Sequence, residues 1–506
     1  MLSGLTARGK IYLLIAAASF AFAYLITTFD FFPQAGIALT FSIFAALVFF
    51  LKKRKTNDTK TYFILVLLFS LGLLIRSEPS VSFLNLIAVM FFGLLMLVPD
   101  LSEKSSLIQY GFSTLAFMVR SLTAGKGDYY LEYKNNKKEV GWNKIIRTVF
   151  GILVTVILLA VVLPLLSAAN PLFQNIVKEV SLVINLENLF KQIGTEQIVI
   201  WVIRLIIFSV FIFLIPKVLT IINKAGPSPF PQKTANVPLS IPKFILAGVL
   251  LIFFITQLQL YFASDATLIA LGLNHSLRTR EVFTQLSVVA GIILLLIYNS
   301  REKDKPTRIL NWILGISGIF LSLMAYKSVF EYIGAWGLTT KRLFGLTFAT
   351  WILGIFILFF KNYLGQNQNA WFIRKTFIFS GVILVLVNIF NFDYLIYHFN
   401  KARTGQGTDY NYLLKLSADS LSFKEQYTLL ENVSSQNNPE ETYDNMTSVV
   451  FLNKIRHLQK KYNKFDFRAF NLLDYFQYKE VQSIDTEKLM QYYTAKLAPK
   501  GMQQKN

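Results

Sequence analysis

Cysteine is absent from the sequence. Disulfides, thiolate metal centres and cysteine nucleophiles are thereby excluded, and the redox compartment cannot be read from thiol usage. Histidine is almost as scarce: His275, His398 and His457 are the only three, far apart and without ligand spacing. That argues against a histidine-rich metal site, so neither metal nor cofactor is expected. No Walker pattern, no dinucleotide fingerprint and no nucleophile elbow occurs, and Gly334, Gly337 and Gly345 do not form a phosphate loop. Charge is sparse too, at 16% of residues against 54% hydrophobic. With a positive mean hydropathy, this balance places the chain in the membrane class.

What is present is a series of apolar runs. Crossing a hydrocarbon layer of about 30 Å takes about 20 helical residues. Runs near that length occur at 11–28, 36–51, 61–75, 81–98, 146–165, 198–215, 244–264, 282–298, 308–325, 345–360 and 375–391. The expectation is an all-α integral membrane protein: a polytopic bundle of about eleven transmembrane helices with a mostly helical soluble C-terminal tail. Arg8 and Lys10 precede the first run like a signal peptide, but apolar character continues to Ile26 and a second run follows, which reads as an uncleaved anchor. Three parts are expected: an N-terminal membrane segment of four spans with a cytoplasmic loop (1–145), a membrane core of seven spans (146–391), and a soluble tail (392–506).

Lys and Arg near the spans set orientation, because they stay on the cytoplasmic side. Lys52, Lys53, Arg54, Lys55 and Lys60 share one side with Lys217, Lys224, Arg301, Lys303, Lys361 and Arg374 when the N-terminus is inside. The tail then lies outside. The bias also accounts for much of the formal net charge of +21 without nucleic acid, so the lipid bilayer is the expected partner, together with an envelope protein or a small solute. Within the connections, 101–122 reads as an interfacial helix, 123–145 as a turn-rich hairpin, and 167–197 as an outer helix. A proline-rich linker at 227–242 divides the bundle into halves. In the tail, 420–433, 449–462 and 484–497 show helical spacing.

Polar side chains are expensive in a membrane, and those near the outer ends of the spans are the candidate site. Arg204, Arg280, Glu281, Arg342, Asn391, Asp393, Asn400, Asp409 and Asp419 fall at one level and read as an outward-facing polar vestibule. Two plainer readings stand beside this one. Arg204 can snorkel to the interface. Asp393, Asp409 and Asp419 form either a carboxylate cluster or a set of helix caps, and Asp419 stands beside Ser417 and Ser420 at a plausible helix start.

Four stretches together carry a resemblance. They are Ser167, Ala168, Asn170, Pro171 and Phe173; Arg280, Phe283 and Leu286; Gly337, Leu338, Thr339 and Arg342; and Asn391, Asp393, Ile396 and Asn400 followed by Asp409, Tyr412, Leu413, Leu416, Ser417 and Asp419. In order and spacing they resemble an uncharacterised bacterial multi-pass family, a domain of unknown function in the four-one-five-three and four-one-seven-three group. The likeness covers roughly residues 146–425. Glu281 stands where that family usually has glycine, and Trp336 where it has tyrosine. The resemblance implies a bacterial inner-membrane protein and supplies no activity. A carotenoid-cleaving oxygenase label attached to some relatives does not suit this chain, since those enzymes hold iron with four histidines. The resulting expectation is a non-enzymatic transport, sensing or envelope-assembly protein. The alternative is a membrane enzyme acting on an anionic lipid-linked substrate, with arginines matched to phosphate oxygens.

Overall fold

The computed structural model describes most of 7–97, short stretches within 200–215, 243–254 and 289–297, and most of 305–497, leaving out 29–30, 53–55, 365–368, 401–408 and 436–443. The expected span at 146–165, the later part of the one at 244–264, the interfacial helix, the hairpin, the outer helix and the proline-rich linker lie outside the described residues, as do Arg280 and Glu281. Among the described residues every regular element is helical, with no strand.

Six described helices are long and apolar enough to cross a membrane. They are α2 (Gln34–Leu51), α3 (Asn57–Ile75), α4 (Pro79–Leu97), α5 (Lys305–Trp336), α6 (Thr340–Leu364) and α7 (Asn369–Ile389). The first run forms α1 (Ala7–Ile26), which is apolar over Leu13–Ile26 among the residues whose side chains are described. Six spanning candidates thus stand among the described residues, and the expected count of eleven extends over residues outside them. Helix α5 also runs further than the 308–325 expected, because Tyr326, Val329, Phe330 and Ile333 continue its apolar character to Trp336.

Each of these helices is apolar nearly all round, so burial does not follow the pattern of a water-soluble domain. Leu67, Leu71, Phe83, Ile87, Phe320 and Leu323 point outward, while Ser70, Asn85, Asn311 and Ser322 face inward. Polar groups turned in and leucines turned out suit a lipid surround.

The contacts divide the chain into two units. The first contains α1, α2, the stretch at 200–215 and a short 3-10 turn at Phe467–Ala469. Ile15, Ala18, Phe22 and Ile215 form its core. Gly36 lets α2 approach α1 closely, since a Cβ there would meet the Leu25 carbonyl at 1.8 Å.

The second unit contains α3 to α7 and the chain after them, apart from that one turn. Phenyl rings seated on glycines hold α5, α6 and α7 together. A Cβ at Gly318 would meet the Phe356 ring at 2.1 Å, and one at Gly354 would meet the Phe379 ring at 2.1 Å. The α3–α4 pair packs on α7. After α7 come α8 (Phe392–Phe399), α9 (Tyr410–Lys415), a 3-10 turn (Ala418–Ser420), α10 (Phe423–Ser435), α11 (Asn445–Asn463), α12 (Leu472–Val481) and α13 (Glu487–Leu497). Phe423, Leu430, Phe451, Leu452, Ile455 and Val481 give this helical domain its own core. A seam of Val81, Leu343, Val387, Phe392, Ile396, Leu413 and Leu416 joins it to the end of the bundle.

Capping chemistry explains where the tail helices begin. Asn391, Asp409, Asp444 and Asn471 each accept a backbone N–H from the first turn of the helix that follows. The expected helix from Ser420 instead starts at Phe423. Ser417 caps the 3-10 turn, and Leu421 then takes a left-handed conformation with φ of 55°. Those residues reverse the chain and leave Asp419 completely buried.

Candidate functional site

The polar residues at one end of the second unit converge on Arg76, the residue that follows α3. Arg76 is 2% exposed and Asp419 is 0% exposed. The Arg76 Nε donates to Asp419 Oδ2 at 2.7 Å, Nη1 to the Asn388 carbonyl at 2.8 Å, and Nη2 to Asn391 Oδ1 at 3.1 Å. Asp419 also accepts from the Ser77 N–H at 2.7 Å, the Ser77 hydroxyl at 2.8 Å and the Glu78 N–H at 3.3 Å. Four donors use up the acceptor capacity of a carboxylate. Asn391 Nδ2 donates to the Asp419 carbonyl at 2.6 Å, and Asn471 Nδ2 to the Arg76 carbonyl at 2.8 Å. The ends of α3 and α7 and the starts of α8 and α12 are thus fastened through one ion pair, with the lone pairs that burial would otherwise strand satisfied by neighbours.

Beneath it, Asn85 of α4 and Asn388 of α7 exchange reciprocal amide hydrogen bonds of 2.7 Å. To one side, Asp393, 2% exposed, accepts both the N–H and the hydroxyl of Ser417, at 2.8 and 2.6 Å. Asn400 Oδ1 accepts the Leu338 N–H at 2.7 Å, and the Tyr412 hydroxyl accepts the Thr340 N–H at 2.8 Å, so the α5–α6 turn joins the same end. Lys454 of α11 donates to the carbonyls of Leu414, Lys415 and Leu416 at 3.2, 2.7 and 2.8 Å. Burial pushes its ammonium down to about 8, opposed by the charge of Asp393. At the opposite end of the helices, Arg374 pairs with Asp58 at 3.1 Å.

The residues singled out from sequence thus divide. Asn391, Asp393, Asn400 and Asp419 come together in this network. Asp409 caps α9 through the Tyr412 N–H at 3.0 Å and is exposed. Arg342 lies 4.1 Å from the centre of the Tyr332 ring and donates to the carbonyls of Trp336 and Gly337. Arg204 belongs to the first unit, where it donates to Thr27 Oγ1 at 2.8 Å. There it lies against the ring of Tyr24, which Arg468 also contacts. Sequence reasoning did not single out Arg76, Ser77, Asn85, Lys454 or Asn471. One signal did point to Arg76: it is a basic residue in a very short connection between two apolar runs, on the side where Lys and Arg are rare.

The geometry can hold a helical domain rigidly on a bundle and present the surfaces beside the junction to a ligand. Among the described residues no group of three or more acidic or histidine side chains is placed to hold a metal ion. Neither the curated proteins nor the solved structures contain a match to this chain. A family model described as a domain of unknown function, DUF4153, matches residues 63–423. That range begins within α3, upstream of the resemblance read from motifs, and takes in both Arg76 and Asp419. This chain of membrane-type helices therefore belongs to the DUF4153 family.

Proposed function

We propose that this protein serves a non-enzymatic role in envelope sensing or assembly in the bacterial inner membrane, with its helical domain outside the cytoplasm as the working part. The observation that carries the reading is the Arg76–Asp419 clamp, which joins the family's bundle to that domain through fully hydrogen-bonded buried charges. Asn391, Asp393, Asn400 and Asp419, four of the polar groups expected to line an open vestibule, are engaged in this fastening, which favours a fixed platform for a ligand or partner over a transport path. Orientation follows from charge. Within the second unit, Lys60 lies near the start of α3, Lys361 near the end of α6, and Arg374 and Lys375 near the start of α7, at the end of these helices away from the clamp.

The test is complementation of a deletion strain. Asp419→Ala is expected to lose function while the protein still reaches the membrane. Full rescue by that variant and by Arg76→Ala together removes the support for the clamp. A reporter fused after Asn506 that works only in the cytoplasm would overturn the orientation, and accumulation of intact lipid-linked intermediates in the deletion strain would favour a membrane enzyme instead.

A further inference from the structure

Beside the clamp lies an open cleft of about 680 Å³, within the range of about 300–1,000 Å³ usual for small-molecule sites. One wall is a stripe of α11, where Asn453, Lys454 and His457 recur at helical spacing; the other is the turn from Ser77 to Pro79, and the floor includes Asp393. The charges in it are unequally used. Lys454 spends its donors on three carbonyls. Lys461 and Asp474 neutralise each other at 2.7 Å. Asp393 uses only Oδ2 for Ser417, and Glu78 only Oε2 for the Val81 N–H. The second oxygen of each carboxylate has no hydrogen bond, and neither is sealed away from solvent. Lys415, exposed on the rim, makes no ion pair. Two carboxylate oxygens and one ammonium thus remain available on residues lining one cavity.

We infer that this cleft binds a small zwitterion, its primary ammonium taken by Glu78 and Asp393 and its anionic group by Lys415. Asp393 also interacts electrostatically with Lys454, and Lys415 with Asp444, but each half of such a ligand meets an opposite charge that still has hydrogen-bonding capacity to spare. The inference rests on the reading of the helical domain as a ligand-binding platform and names the class of ligand. The same chemistry occurs in a lipid headgroup and in a free solute, and the experiment separates the two.

Full-length protein, stripped of lipid in detergent, is titrated calorimetrically with phosphoethanolamine, ethanolamine and inorganic phosphate. In parallel it is mixed with phosphatidylethanolamine or phosphatidylglycerol and examined by native mass spectrometry. Phosphoethanolamine or phosphatidylethanolamine is expected to bind, with each half-ligand weaker. Glu78→Gln, which keeps an acceptor for the Val81 N–H, and Lys415→Ala, on the rim, are each expected to weaken binding about tenfold, the loss of one charge-assisted contact, at an unchanged melting temperature. Retention of the lipid alone makes the ligand a headgroup; binding of the free compound alone makes it a solute. Binding of neither, or equal binding by wild type and both variants, overturns the inference. A null result in a protein whose deletion phenotype still depends on Asp419 removes the zwitterion while leaving the broader function in place.

Discussion

Arg76 and Asp419 stand 343 positions apart in the chain and meet at 2.7 Å with almost no exposure. Their pairing converts the turn after α3 into the anchor of a domain that the chain completes only near its C-terminus. Such a pair gains little over a well-packed apolar pair, but losing either partner strands a charge in a dry site.

Asp419→Ala is accordingly expected to destabilise the second unit by about 3–5 kcal/mol. The double variant Arg76→Met with Asp419→Leu should recover much of that loss, because no unpaired charge remains. Thermal unfolding in detergent, with limited proteolysis of the helical domain, reads both. Equal damage from the single and the double change would mean that the charges were not what burial penalised.

The Asn85–Asn388 pair closes over Gly72. A Cβ at Gly72 would sit 2.7 Å from Asn388 Oδ1 and 2.8 Å from Asn85 Nδ2. Gly72→Ala should therefore separate the two amides and cost about 1–3 kcal/mol. A double-mutant cycle on Asn85→Leu and Asn388→Leu should return a coupling of about 1 kcal/mol; a coupling of zero would show that the amides find other partners.

Gly337 has φ of 77° in the turn between α5 and α6. Its carbonyl, with that of Trp336, receives the Arg342 guanidinium. Gly337→Ala is expected to lower stability by about 1 kcal/mol through left-handed backbone strain. Chemical denaturation compared with Gly334→Ala, where an added Cβ meets nothing within 4 Å, is the control.

Lys454 titrates near 8 in the folded protein, below its ordinary 10.5, chiefly through burial. The folded state therefore binds fewer protons than the unfolded chain between those values, and stability should rise with pH across that window. Below it the contribution is constant. Melting temperatures measured on either side of the window should show the rise in wild type and a smaller one in Lys454→Gln. An identical rise in both would assign it to another group.

Much of the membrane character was legible because hydrophobic run length is a local property. The expected spans at 36–51, 61–75, 81–98 and 375–391 overlap α2, α3, α4 and α7 with small boundary shifts. Tail helices at 449–462 and 484–497 were legible for the same reason, while α12 was missed because Tyr475, Phe476 and Tyr478 break a simple apolar stripe. Among site residues, Asn391, Asp393 and Asp419 stood out as polar groups following an apolar run. Arg76 did not, since a charge at a helix end has the same sequence appearance whether it meets water or a partner.

By itself, then, the sequence determined that this is a helical membrane-type chain, where several of its apolar helices lie, and that the tail is helical in pieces. Those features depend on side chains a few positions apart. Only the tertiary structure decided that Asp419 is neither a helix cap nor part of an open acidic cluster, but the buried partner of Arg76. The physical reason is desolvation: the role of a charge depends on what excludes water from it, and here the excluding groups come from α3, α7, α8 and α12, segments that no local pattern connects.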